Sequence, residues 1–386
     1  MNWIESYFKG DRTIWLIVIL LSILSTLAVY SSTGTLAYKY QSGNTEYYLF
    51  KHTAILLFGF VLMYVGHLIK YTHYARFSTL AIIVAVPLLL LTLFMGTNLN
   101  DANRWLTLPI INMSFQTSDL AKVALILYIA RVLSKKQDNI KDFKSAFLPV
   151  MLPVLIVCAC ILPANFSTAA VLFATSCVIM FIGRINLKYI FAMMAVGAIA
   201  FGLFIGIALL VGYNGRITTW KSRIENFSKG EADGNYQVQQ AKIAIAKGGL
   251  IGRGPGNSTQ KNFLPHPYSD FIFAIIIEEY GFIGGAFVVF LYLLLFYRAL
   301  QIMKRTERAF AALITVGCAF SLTFQALINM AVAVNLFPVT GQPLPMLSMG
   351  GTSIWFTSIA LGIILSVSGE MDKTEAEEET NLIPAV

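Results

Sequence analysis

With 386 residues, of which 57% are hydrophobic and only 12% charged, and a mean hydropathy of +0.69, the chain is excluded from the soluble globular class. Its formal net charge of +8 is spread over loops between apolar runs, which points to membrane surfaces and anionic ligands and implies no nucleic-acid partner. The four cysteines, Cys158, Cys160, Cys177 and Cys318, fall inside apolar runs, so they read as small core residues rather than disulfides, and four His without clustering give no zinc signature.

A bilayer core of ~30 Å needs ~20 apolar residues per helix. Runs suited to this occur at about 13–31, 52–69, 77–95, 117–133, 146–162, 168–183, 189–212, 271–297, 309–331 and 352–368. The expected fold is therefore all-α and polytopic, with ten transmembrane helices. The first run has no small-residue cleavage site after it and is flanked by Lys9, Asp11 and Arg12, so it is expected to be retained. Placing the N-terminus in the cytoplasm puts Lys9, Arg12, Lys70, Arg76, Arg131, Lys135, Lys136, Lys141, Lys144, Arg184, Lys188, Arg298, Lys304, Arg305 and Arg308 on the cytoplasmic side. Lys39, Lys51 and Arg104 fall in the short loops opposite, so the positive-inside rule sets both termini in the cytoplasm.

The first candidate site along the chain is "NRWLTLPIINMSFQTSDLAK", ending at Lys122. Arg104 beside Trp105 suits the membrane interface, where a ring anchors and a guanidinium forks onto phosphate oxygens. Asp119 and Lys122, three apart, share a helix face at the mouth of a span, where an acid and a base are costly unless paired. A purely structural pair is the alternative reading.

Between spans 7 and 8 lies a long extracytoplasmic loop at about 213–270. It is basic: Arg216, Lys221, Arg223, Lys229, Lys242, Lys247, Arg253 and Lys261 outweigh Glu225, Glu231, Asp233 and Asp270. Attraction to lipid headgroups or a site for a phosphorylated ligand would each explain this. Within it, "NYQVQQAKIAIAKGG" has the pattern of a short amphipathic helix at the interface. Then "GGLIGRGPGNSTQKNFLP" combines Gly248, Gly249, Gly252, Gly254 and Gly256 with Arg253 and Lys261. It reads either as a tight turn or as a backbone cradle for a diphosphate.

Asp270 stands at the start of the eighth run, with Glu278 and Glu279 inside it. A carboxylate at the water–lipid boundary is a candidate proton acceptor, although Ser269 or Asp270 could also cap the helix. Glu278 and Glu279 are assigned mainly to structure, with at most one expected to face the protein interior. The loop "NLFPVTGQPLPMLSMGGTS" (335–353) carries Pro338, Pro343, Pro345, Gly341, Gly350 and Gly351. So many helix breakers at membrane depth imply a re-entrant element against protein, or else an ordinary external loop. The chain closes on a tail, 370–386, with six acids and one Lys that is expected to be disordered and cytoplasmic, beyond a single integral domain at 1–369.

Taken in order, "NRWLTL" with "QTSDLAK", then "YQVQQAKIAIAKGGLIGRGPGNSTQKNFLPHPYSDFIFAIIIEEYGFIG", then "PVTGQPLPMLSMGGTS", resemble the SEDS family of shape, elongation, division and sporulation proteins over nearly the whole chain. "PHPYSDF" and "EEYG" are worded more like its division member than its elongation member. The resemblance implies a peptidoglycan glycosyltransferase of the bacterial cytoplasmic membrane that polymerises lipid II. Its partners would be a class B penicillin-binding protein and other divisome proteins.

The resemblance further implies that Asp270 is catalytic and that Arg104, Trp105, Asp119, Lys122, Gln240, Arg253, Ser258, Lys261 and Ser348 bind substrate. Asp119 stands where the family usually has Glu. In "LPANFSTA" (162–169), Asn165 and Ser167 replace the acid and glycine of the family's Gln-Pro-Asp-x-Gly-Thr pattern, so no role of that acid transfers. The chemistry implied is an inverting displacement at the donor sugar with undecaprenyl diphosphate as leaving group. No cofactor is required, although a divalent cation, Mg2+ or Mn2+, could assist. Two rivals remain from topology alone: a lipid-precursor flippase or carrier, and a non-catalytic activator of a membrane synthase. A carrier would place its ionisable groups near the midplane rather than at the outer boundary.

Overall fold

The structure, a computed structural model, describes residues 9–98, 103–108, 113–210, 223, 227 and 236–382. Arg216, Lys221, Glu225, Lys229, Glu231 and Asp233 lie outside the described residues. The helices are α1 (Arg12–Ser32), α2 (Gly34–Tyr40), α3 (Thr45–Leu68), α4 (Tyr71–Met95), α5 (Thr117–Lys135), α6 (Leu148–Ile161) and α7 (Phe166–Ile182). They continue with α8 (Leu187–Leu210), α9 (Tyr236–Gly248), α10 (Ile272–Arg305), α11 (Ala309–Ala333) and α12 (Gly351–Leu382). Among the described residues, eight helices are long and apolar enough to cross a membrane. Two expected spans fall short of that standard. At 17 residues α7 is short, and α5 carries Asp119, Lys122, Arg131 and Lys135, polar groups it can hold because its apolar face, including Leu125 and Ile129, is fully buried by neighbours.

The connection between α4 and α5 departs from an all-helical reading. It forms a three-stranded antiparallel sheet, β1 (Thr97–Asn98), β2 (Asn103–Leu108) and β3 (Met113–Gln116), with Trp105 opposite both Thr97 and Gln116. The alternation of Trp105, Thr107, Ser114 and Gln116 with apolar neighbours is a period-2 signal too short to stand out beside the flanking helices.

Helix α12 also differs from expectation. It runs to Leu382, so its backbone remains helical through most of the stretch read as a disordered acidic tail. That stretch is rich in Glu, a good helix former.

Two ends of the bundle are chemically distinct. At one end the N-cap Asp11 accepts from Thr13 N and Ile14 N and pairs with Arg298 near the end of α10, while Lys70 lies 3.9 Å from Glu370. At the other end α1 finishes at Ser32 beside the segment before α10. In the core, α12 packs most extensively along α3. A Cβ at Gly362 would sit 2.6 Å from the Met63 carbonyl, so the small residue sets that approach.

Candidate active site

Asp270 sits half-buried on irregular backbone just before α10. The helix begins at Ile272 with Phe271 as a cap residue that offers no side-chain bond, so Asp270 is not spent on capping. Its Oδ1 accepts from Ser269 Oγ at 2.9 Å, and its Oδ2 lies against Gly341, where an added Cβ would be 3.6 Å away.

The segment 335–350 is non-helical, and its Val339, Gln342, Leu344, Met346, Leu347 and Ser348 are buried. Irregular backbone in such a setting must have its polar groups met by protein. Met349 N donates to the Tyr268 carbonyl at 2.8 Å, Tyr292 Oη donates to the Pro345 carbonyl, and Gln325 Nε2 donates to the Pro343 carbonyl at 2.9 Å. Asn329 Nδ2 donates both to the Asp270 carbonyl at 2.9 Å and to the Gln342 carbonyl at 2.7 Å. The loop is thereby held as a buried, non-helical platform under Asp270.

A groove of ≈ 1330 Å³ opens beside this platform, between α7, α9, α10 and α11. Its walls are mostly apolar, with Phe273, Ile277, Phe324 and Ile328 among them, and its few polar positions include Arg104, Asn165, Ser167, Arg223 and Thr340. Arg223 reaches the platform by donating from Nη1 to the Val339 carbonyl at 2.9 Å. Burial pulls its guanidinium below the ordinary arginine value, while the charge of Asp270 pushes it back up. Asp270 adjoins the rim of the groove at Gly341, next to Thr340, and its charge acts on Arg223, which lines the groove. At the far end, Arg104 Nε donates to the Ala164 carbonyl at 2.9 Å, and Asn165 Oδ1 caps α7 by accepting from Thr168 N at 3.3 Å. Asn165 therefore serves as a neutral helix cap.

Burial raises the Tyr268 hydroxyl above its ordinary value, with the charge of Asp270 adding to that effect.

The other sequence candidates separate into distinct places. Asp119 and Lys122 form a buried pair, Oδ1 to Nζ 2.7 Å, and Lys122 Nζ also donates to Gln325 Oε1 at 3.2 Å. At 4% exposure Asp119 is sealed from substrate. Ser348 is equally enclosed: its Oγ donates to the Ser269 carbonyl at 2.6 Å and accepts from Leu344 N at 2.7 Å, so it fastens the platform rather than touching a ligand. Trp105 lies half-buried on β2, and Gln240 half-buried on α9.

The Gly-rich loop corrects the diphosphate-cradle reading. Its donors turn inward onto Glu278: Thr259 N at 3.0 Å, Thr259 Oγ1 at 2.9 Å, Gln260 N at 3.2 Å, and Ser258 Oγ. Glu279 accepts from Ser31 Oγ and from Ser258 N. Lys261 Nζ donates to the Gly256 carbonyl at 2.8 Å, and Arg253, still partly exposed, lies 3.9 Å from Glu278. Ser258 is buried with its hydroxyl engaged, so it is a structural residue.

Both glutamates face the interior, against the expectation of at most one. The reason is a break in α10 at Gly281, whose φ of 72° lets the chain fold against residues 250–252. A Cβ there would lie 2.2 Å from the Leu250 carbonyl oxygen. The resulting pocket supplies two buried carboxylates with backbone and hydroxyl donors at once. The amphipathic helix α9 buries Val238, Ala241 and Ala244 and packs along α10, next to this loop.

Similarity now decides the family. The sequence pattern of the FtsW/RodA/SpoVE cell cycle protein family matches residues 11–373. This chain belongs to that family. Among FtsW/RodA/SpoVE relatives, it is 32% identical to the "Probable peptidoglycan glycosyltransferase FtsW" of Geobacter sp. (strain M18), covering 96% of this chain and 99% of the relative. It is 32% identical to the protein of the same name from Haemophilus influenzae, covering 93% and 90%. It is 30% identical to the "Stage V sporulation protein E" of Bacillus subtilis, covering 93% and 96%.

The fold is similar to a chain of the solved structure described as "Structural coordination of polymerization and crosslinking by a peptidoglycan synthase complex", with TM-score 0.72 and 23% identity over 94% of this chain and 98% of that one. It is also similar to the rod shape determining protein RodA of Thermus thermophilus, with TM-score 0.68 and 22% identity over 95% and 99%.

Three side chains that hold the 335–350 segment of this FtsW/RodA/SpoVE chain were not singled out from sequence. Arg223 was one cation among eight in a basic loop, with nothing local to distinguish it. Gln325 and Asn329 did carry a signal, two amides one turn apart in an apolar run, of the kind that marks an inward-facing polar stripe.

Proposed function

We propose that this FtsW/RodA/SpoVE protein is a peptidoglycan glycosyltransferase that polymerises lipid II in septal wall synthesis, with Asp270 as the general base. It would cross the bacterial cytoplasmic membrane ten times, with α5 and α7 as the two spans that length and hydropathy alone do not identify, and with both termini inside. The observation that carries this reading is that Asp270 lies at Gly341, beside the rim of a mostly apolar groove lined by Arg223 and Thr340, with its charge acting on Arg223. A lipid-linked sugar needs that combination: apolar walls for a polyprenyl chain, a cation for a diphosphate, and a carboxylate where the sugar emerges.

In this mechanism the Asp270 carboxylate accepts the proton of the acceptor's 4-hydroxyl on N-acetylglucosamine. That oxygen attacks the anomeric carbon of the donor's N-acetylmuramic acid from the face opposite the diphosphate, and the bond from carbon to phosphate oxygen breaks. The configuration inverts in one displacement. Charge growing on the departing undecaprenyl diphosphate would be met by Arg223, which lines the groove near Asp270. General-base help is worth ~10²–10⁴-fold, and positioning of the two sugars more.

Among the described residues no three His, Cys, Asp or Glu side chains gather as a metal-ligand set. A Mg2+ or Mn2+ ion, if bound, would add positive charge at the diphosphate, and no step above relies on it. A class B penicillin-binding protein is the partner this reading assigns. The test is polymerisation itself: purified protein with that partner, in detergent and without a second compartment, should convert labelled lipid II into glycan strands. A flippase would give no product under those conditions.

A further inference from the structure

We propose that Gln325 and Asn329, one turn apart on α11, are positioning residues that tie the buried Asp119–Lys122 pair and the re-entrant platform to Asp270. This inference rests on the reading of Asp270 as the base. Asp270 lies outside any regular element, so nothing in α10 itself fixes where its carboxylate points. Its main-chain carbonyl is held by Asn329 Nδ2 at 2.9 Å, and the same nitrogen holds the Gln342 carbonyl at 2.7 Å. One side chain thus clamps the catalytic segment to the platform.

Gln325 does the equivalent work one turn earlier. It accepts from Lys122 Nζ at 3.2 Å and donates to the Pro343 carbonyl at 2.9 Å. Its orientation is determined by its partners: an ammonium only donates and a carbonyl only accepts, so the amide can sit one way round. Asn329 is fixed by the same logic, because both of its partners are carbonyls. The position of the Asp119–Lys122 ion pair is thereby transmitted to residues 342–343 and from there to Asp270.

The arrangement is expensive, which argues against a role in stability alone. Asn329 Oδ1, Gln342 Nε2 and Asp119 Oδ2 are buried without a protein hydrogen-bond partner. A core built for stability would fill this space with apolar side chains. An amide pair at these depths, 5% and 1% exposed, serves instead to aim the groups it touches.

The test is steady-state lipid II polymerisation by the full-length protein with its partner. Asn329→Asp keeps the size and removes the donor, and should lower kcat ~10²-fold with KM changed by less than about threefold. Gln325→Glu keeps the acceptor for Lys122 and loses the donor for Pro343, and should fall about tenfold. Gln325→Met should fall further, and combining it with Lys122→Met should cost clearly less than the sum of the two single losses, because both cut the same chain although Lys122→Met also strands the buried Asp119 carboxylate. Ser321→Ala, elsewhere on α11, should leave kcat unchanged.

Unfolding temperature is recorded for every variant. Wild-type kcat in Asn329→Asp and Gln325→Glu overturns the proposal, and so does a loss that recovers on cooling in step with unfolding temperature, or an additive double mutant. If Asn329→Asp fails to fold, Gln325→Glu and the double-mutant cycle decide the matter. Asp270→Asn separates the two levels: an active Asp270→Asn removes the underlying reading, whereas an inactive Asp270→Asn beside active Gln325 and Asn329 variants removes only this one.

Discussion

Replacing Glu278 by alanine perturbs the point where the Gly-rich loop is fastened to α10. The carboxylate is fully buried and accepts from two backbone amides, Thr259 N and Gln260 N, and from the hydroxyls of Ser258 and Thr259. The hydroxyls can rotate to other acceptors, but the two amides cannot. Each stranded amide costs about 1–3 kcal/mol, so the loss sums to about 2–6 kcal/mol. The Arg253 contact adds little, because that side chain is 42% exposed and screened. Glu278→Gln retains one carbonyl oxygen and should lose roughly half as much.

At roughly 2 °C per kcal/mol for a chain of this size, alanine should lower the unfolding temperature by about 4–12 °C, and glutamine by less. The assay is fluorescence-detected size exclusion in detergent after heating, at one fixed heating time. An alanine variant that unfolds within about 1 °C of the parent would refute the account of these donors. So would a glutamine variant less stable than alanine.

Three further outcomes follow from the geometry. Gly281→Ala forces a Cβ to within 2.2 Å of the Leu250 carbonyl oxygen at a φ of 72°, so it should cost more than 2 kcal/mol, or prevent folding, in the same heating assay. Arg223→Gln should raise KM for lipid II more than it lowers kcat, if the guanidinium holds the diphosphate in ground state and transition state alike, as steady-state kinetics would show. Hydrogen bonding from Ser145, from its side chain first and then from its N at 2.7 Å, holds the Asp142 carboxyl below the ordinary 3.8. The stabilisation it gives is therefore full above that value and lost as pH falls through the depressed one. Asp142→Ala should lower the unfolding temperature at pH 7, and its difference from the parent should shrink as the pH of the scan is lowered below the ordinary carboxyl value.

Much of the helical frame was legible because apolar length is a strong signal. The run at 309–331 became Ala309–Ala333, and the run at 77–95 became Tyr71–Met95. What escaped was anything decided by contacts distant in sequence. Glu278 and Glu279 looked unaffordable together because the sequence does not show that a break at Gly281 folds a ring of donors around them. Ser258 and Ser348 lay in stretches matching a catalytic family, but their hydroxyls turn to buried structural partners. Arg223 acquires its importance from a carbonyl 116 residues away, at Val339. Gln325 and Asn329 were readable in principle, since two amides at helical spacing in an apolar run require inward partners.

The central claim is that Asp270 removes the proton from the attacking sugar hydroxyl, and the most direct measurement is the turnover rate of purified Asp270→Asn with its synthase partner on labelled lipid II. The account expects strand synthesis to fall by at least about 10²-fold, while unfolding temperature and partner binding match the parent protein. Strand synthesis near the parental rate by that variant, folded and partnered, would contradict it.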